Sequence, residues 1–111
     1  MSNEGLLKTS MAVNLADQVD YANGAVVSRT LVDKKSGTVT LFSFDKGQGL
    51  SEHSAPFDAL VQILDGEAEI VVGGVKIEAV AGQVVVMPAN IPHSLNAPKK
   101  FKMLLTMIRS D

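Results

Sequence analysis

Residues 67–79 read EAEIVVGGVKIEA, and their pattern is the clearest indication of the fold class. Charged and apolar residues alternate on both sides of the pair Gly73-Gly74. A period of two is typical of strands that turn one face towards a core. Two consecutive glycines favour the positive φ angles of a two-residue hairpin turn. The stretch therefore predicts two antiparallel strands joined by a tight hairpin.

The same signals continue in both directions from this hairpin. Strand-like runs occupy residues 26–32, 38–44, 59–64, 84–87 and 100–107. Short breaks with turn chemistry separate them, including Asp65-Gly66, which is interpreted as a turn between two strands. About eight short strands, with no linker or repeat between them, predict an all-β sandwich or barrel.

The beginning of the chain has a different character. Residues 1–24 are predicted to form an N-terminal extension, and residues 25–111 the barrel. Within the extension only residues 14–19 show a helical pattern, with Asn14 as the N-cap and Asp17 three residues later. Residues 1–12 carry no pattern and are expected to fray or to lie against a partner subunit.

Composition narrows the classes of function. A chain of 111 residues with 46% hydrophobic residues predicts one domain with one core. A net charge of −2 gives no cationic excess for nucleic acid, and the lack of cysteine excludes disulfides, thiolate nucleophiles and cysteine-ligated metals. No apolar run approaches the ~20 residues that span a membrane, and residues 1–12 do not resemble a signal peptide. A cytoplasmic location is expected.

Two glycine-anchored stretches resemble the paired motifs of the cupin family of small jelly-roll barrels. The first family motif runs Gly, five residues, His-x-His, three or four residues, Glu, six residues, Gly. Gly47, His53 and Gly66 fall in register with it. Ala55 stands at the second histidine position and Ala59 at the glutamate position, so this first metal motif is degenerate.

The second family motif runs Gly, five residues, Pro-x-Gly, two residues, His, three residues, Asn. Gly82, Pro88 and His93 match it, whereas Asn90 replaces the inner glycine and Ala97 the final asparagine. The resemblance covers residues 29–108. It implies a single-domain cupin jelly roll of two antiparallel sheets, similar to a subgroup of small cupins, with the motif histidines pointing into the barrel.

The resemblance also implies a divalent-metal site. A full cupin site uses three histidines and one glutamate, and this chain keeps His53 and His93. Two neutral imidazoles suit Zn, Ni, Fe, Mn or Cu but need further ligands, from water, a substrate oxygen or a borrowed side chain. Glu52, Asp58 and Asn96 are near in sequence, although the first two have the opposite strand parity to His53 and are expected to face outwards. In the alternative, the histidines are polar groups at the barrel mouth, satisfied by water or by each other.

The alanines at the two missing ligand positions permit two interpretations. They leave space for a small ligand between the histidines, with Phe42 or Met103 as apolar lining. In the other interpretation a larger neighbour, Met87 or Phe57, fills the gap.

Two functions therefore remain open. One is a metal-dependent small-molecule enzyme such as an oxygenase, isomerase or lyase, with His53 and His93 as ligands. The other is a metal-free barrel that binds or senses a small molecule. A homodimer is expected from family habit and from outward-facing apolar positions, Leu60, Leu64 and Leu104. Neither a nucleic acid nor a membrane is expected as a partner.

Overall fold

The computed structural model describes residue 7 and residues 9–109, and in this part of the chain it is almost entirely β. One 3₁₀ helix, Leu15–Gln18, precedes the strands. The strands are β1 Val26–Lys34, β2 Gly37–Phe44, β3 Gly49–His53, β4 Phe57–Val72, β5 Val75–Val80, β6 Val84–Met87, β7 His93–Asn96 and β8 Phe101–Arg109. In residues 7 and 9–109, no helix is long and apolar enough to cross a membrane.

The strands form two antiparallel sheets that share one strand. Sheet A has the order β1-β2-β8-β4-β6, and sheet B has the order β5-β4-β7-β3. Residues 57–66 of β4 pair with β8, whereas residues 67–72 pair with β5 and β7. The inner faces enclose a core in which the rings of Phe44 and Phe101 stack with centroids 4.5 Å apart. This architecture confirms the predicted jelly roll.

The predicted turn at Asp65-Gly66 is wrong, because β4 runs through it as one strand of 16 residues. The register with β8 shifts between Ile63 and Asp65, and Gly66 has a φ of 77°. A Cβ at this position would collide with the carbonyl oxygen of Lys100 and lie 2.9 Å from the Cα of Phe101. The glycine therefore marks the bend at which β4 passes from one sheet to the other.

The predicted strand runs also missed β3 and β7. Both are short, with five and four residues, and neither holds enough positions for an alternating pattern to stand out. The predicted hairpin at Gly73-Gly74 is present, with both glycines at positive φ.

Residues 15–25 form a strap across the outer side of sheet A. The hydroxyl of Ser43 donates to the carbonyl of Asp20 at 2.7 Å, and the Lys102 ammonium donates to the carbonyl of Ala16 at 2.6 Å. The short helical segment predicted at residues 14–19 is present as the 3₁₀ helix Leu15–Gln18, but Asn14 makes no side-chain cap. The prediction for residues 1–12 falls mostly outside the described residues.

Tyr21 holds this strap against sheet A. Its hydroxyl donates to the Asp65 carboxylate at 2.5 Å, and the ammonium groups of Lys100 and Lys102 lie 4.7 Å and 5.0 Å from the centre of its ring. Burial and the hydrogen bond to Asp65 raise the pKa of Tyr21.

The apolar outer surface of sheet A differs from the expected one. Leu60, Leu64 and Leu104 are half-buried rather than exposed. The exposed large apolar side chains of sheet A are instead Val32 of β1, Val84 and Val86 of β6, and Ile108 of β8.

Candidate functional site

The two histidines meet at the mouth of the barrel. β3 and β7 pair antiparallel, and His53 stands directly opposite His93 in their register. The two ring centroids are 4.4 Å apart, with an angle of 68° between the ring planes. The structure thus brings together both residues that the resemblance singled out. Their pairing follows from two short strands that the alternation pattern did not reveal.

Each imidazole is held by the same local contact. The Nδ1 atom of His53 lies 2.8 Å from the carbonyl oxygen of Ser51, and that of His93 lies 3.1 Å from the carbonyl oxygen of Ile91. A carbonyl oxygen only accepts hydrogen bonds, so Nδ1 must carry the proton in both rings. In the neutral state each Nε2 therefore keeps its lone pair, and this assignment rests on the hydrogen-bond pattern.

The histidines differ in exposure and border one small pocket. His93 is only 7% exposed, whereas His53 is exposed at the rim. The pocket has a volume of about 40 Å³, which is room for about three water molecules. Apart from the histidines its lining is apolar: Leu50, Ala55, Phe57, Ala59, Met87, Leu95, Met103, Leu105 and Met107. A site of this kind can hold a single ion or a very small molecule.

Neighbouring side chains flank the space beside Ala59. The residue is 4% exposed, and it stands directly opposite Met87 of β6 and Met107 of β8. Both expectations for this region are therefore partly realised: methionines crowd the gap, and a small cavity remains. Of the two expected lining residues, Met103 lines the pocket and Phe42 does not. The ring of Phe42 stacks on that of Phe44, with centroids 5.9 Å apart.

None of the polar residues considered as borrowed ligands lines the pocket. Asp58 accepts a hydrogen bond from the backbone N–H of Ala89 at 3.0 Å, and Glu52 and Asn96 are exposed elsewhere. Residues 7 and 9–109 contain no group of three or more His, Cys, Asp or Glu side chains placed to hold a metal ion. The described residues do not fit a four-ligand site with three histidines and a glutamate. They supply two imidazole nitrogens and no carboxylate.

Comparisons with known proteins agree with the fold and the motifs. A family model described as a cupin domain matches residues 40–109. A conserved protein of unknown function from Streptococcus pyogenes has a solved structure with a TM-score of 0.91 and 39% sequence identity, covering 95% of this chain and 92% of that one. A cupin superfamily protein from Desulfitobacterium hafniense gives a TM-score of 0.89 at 30% identity, covering 96% and 97%.

A third solved structure is longer than this chain. A cupin 2 conserved barrel domain protein from Leptotrichia buccalis is 45% identical with a TM-score of 0.85, over 87% of this chain and 47% of that one. This chain therefore spans about half of that relative's length. A search of the curated proteins found no match.

Proposed function

The chain belongs to the cupin family, and we propose that it binds a metal ion through the Nε2 atoms of His53 and His93 and receives a small ligand beside it. The observation that carries the proposal is the pair of rings with both Nδ1 atoms engaged by backbone carbonyls. Metal-binding histidines characteristically donate their other ring N–H to a carbonyl or carboxylate, which fixes the tautomer and the ring orientation.

The separation of the rings supports a shared ion. A metal–nitrogen bond is about 2 Å long, so an ion bound by both Nε2 atoms would lie about 3 Å from each ring centroid. Two imidazoles on one ion can then have centroids up to about 6 Å apart. The observed 4.4 Å is within that range.

The chain's own residues would hold, orient and shield the ion. His93 anchors it from the buried side and His53 from the rim, while the apolar walls limit access of water. The positions vacated at Ala55 and Ala59 would leave room for a further donor atom beside the ion. When bound, Zn, Ni, Fe, Mn or Cu supplies a Lewis acid to such a ligand.

A second candidate is a metal-free barrel that binds a small molecule. It is supported by the apolar lining and by the lack of a carboxylate to offset a dication. In this case each Nε2 lone pair accepts a hydrogen bond from the ligand.

Metal analysis separates the two candidates. The protein is purified without a histidine tag, and its metal content is measured beside His53→Ala, His93→Ala and, as a control, Asp58→Ala. The metal-binding proposal expects an ion that both histidine variants lose and the control keeps. Metal that is sub-stoichiometric and unaffected by either histidine variant would leave the metal-free candidate.

We also propose that the protein is a cytoplasmic homodimer with no nucleic-acid partner. The net charge of −2 supports the last point. Val84 and Val86, which are 54% and 61% exposed on the outer side of β6, support a dimer contact on sheet A.

A further inference from the structure

We propose that the ion selected by this pocket is soft and monovalent, namely Cu(I), and that a thioether sulfur of Met87 or Met107 joins His53 and His93 as a ligand. The inference rests on the proposed metal-binding function and adds to it both the class of ion and a third type of donor.

The strand register places the two methionines beside the missing ligand. Ala59, at the glutamate position of the family motif, stands directly opposite Met87 on one neighbouring strand and Met107 on the other. Directly opposed residues in an antiparallel pair have Cβ atoms about 4.5–5.5 Å apart. Methionine is long and unbranched, so its sulfur can reach the space above an alanine.

The composition of the pocket points to sulfur rather than oxygen as the extra donor. Three of the chain's five methionines line this one pocket, whereas no carboxylate does. Hard ions such as Mn²⁺ prefer carboxylate, carbonyl and water oxygens, whereas thioethers are soft donors that select Cu(I). Imidazole is also a suitable ligand for copper.

The charge balance points the same way. Anionic ligands help to offset the hydration that a dication loses beside apolar walls, and the lining provides none. A monovalent ion loses less hydration energy on entering the pocket, so neutral imidazole and thioether ligands suffice for it. The chain has no cysteine that could compete for such an ion.

The test compares Cu(I) with Zn(II) on the same metal-free protein. Cu(I) affinity is measured without oxygen by competition with a chromogenic Cu(I) chelator, and Zn(II) affinity by competition with a zinc indicator. The variants are Met87→Leu, Met107→Leu and the double variant, which conserve volume but remove sulfur. Met11→Leu, at an exposed position, is the control.

We expect one Cu(I) per chain, bound at least about 10-fold more weakly by the double variant, with Zn(II) affinity unchanged and Met11→Leu like the wild type. X-ray absorption of the wild-type Cu(I) protein should show sulfur beside nitrogen in the coordination shell, a readout that does not depend on how the variants fold.

Two outcomes would overturn the inference, and they are distinguishable. If Zn(II) binds through both histidines while Cu(I) shows no sulfur neighbour and no dependence on the methionines, the inference fails and the proposed metal-binding function stands. If neither ion binds in a histidine-dependent way, the proposed function fails and the inference fails with it.

Discussion

Replacing Gly66 by alanine should destabilise the protein far more than the same change at Gly74. Both glycines have similar positive angles, with φ of 77° and 83°. Their surroundings differ, because an added Cβ at Gly66 meets the backbone of Lys100 and Phe101, whereas at Gly74 nothing lies within 4 Å. The pair therefore separates backbone strain from steric collision.

The magnitudes follow from these two contributions. A non-glycine residue in the left-handed region costs about 1–2 kcal/mol, and both variants bear this cost. The collision at Gly66 involves main-chain atoms of β8, which cannot move aside as a flexible side chain would, and overpacking of this kind adds about 1–3 kcal/mol. Gly66→Ala should thus lose about 2 kcal/mol more than Gly74→Ala. Replacing glycine by alanine also lowers the conformational entropy of the unfolded chain, but this stabilisation is common to both variants and cancels in the difference between them.

The measurement is urea denaturation followed by circular dichroism, since the chain has no tryptophan for fluorescence. For a chain of this size a difference of about 2 kcal/mol also corresponds to a Tm about 8 °C lower. Equal losses in the two variants would refute the reasoning, because they would mean that the bend in β4 has room for a side chain. A larger loss for Gly74→Ala would refute it too.

Three other perturbations test the strap, a surface carboxylate and the dimer. Burial and the hydrogen bond to Asp65 raise the pKa of Tyr21 in the folded protein above about 10, its value in the unfolded chain. The stability that this phenol contributes is therefore complete below about pH 10 and is lost as the pH rises further. Tyr21→Phe should flatten the decline of the urea midpoint in that range, and an unchanged decline would contradict the assignment. Two backbone N–H groups lower the pKa of Asp45 below 3.8, so its contribution is present above pH 3.8 and is lost as pH falls further; Asp45→Asn should weaken the acid dependence of the midpoint there. Val86→Asp should convert the proposed dimer to a monomer in light scattering, whereas Val75→Asp, equally 61% exposed on sheet B, should not; a monomeric wild type would remove the dimer proposal.

Much of the fold could be predicted from local patterns, and the wrong prediction at Asp65-Gly66 has a physical cause. Glycine at positive φ serves a hairpin and a bulged bend alike, so Asp65-Gly66 could not reveal whether the chain reverses or continues. At Gly73-Gly74 the same kind of signal does mark a reversal, and the prediction is confirmed. Only the pairing partners on either side distinguish the two cases.

The candidate site was predictable in part. The spacing of the glycines and prolines led to His53 and His93 through the family resemblance, although their strands are too short to show alternation. Met87 was one of the two residues expected from the sequence to fill the gap left by the alanines, and it does stand opposite Ala59. Met107 was not expected there, because its contact with Ala59 depends on which strands lie beside β4. Sheet order is a long-range property, and residues 87 and 107 are brought together only by it.

The central position of β8 has a consequence for biosynthesis. This last strand in chain order lies between β2 and β4, and it supplies Met103, Leu105 and Met107 to the wall of the pocket. A ribosome releases the chain from its N-terminal end, so the β1–β2 and β4–β5 hairpins can pair while one wall is still missing. A nascent chain therefore lacks this wall of the pocket until residues up to 107 have left the ribosome.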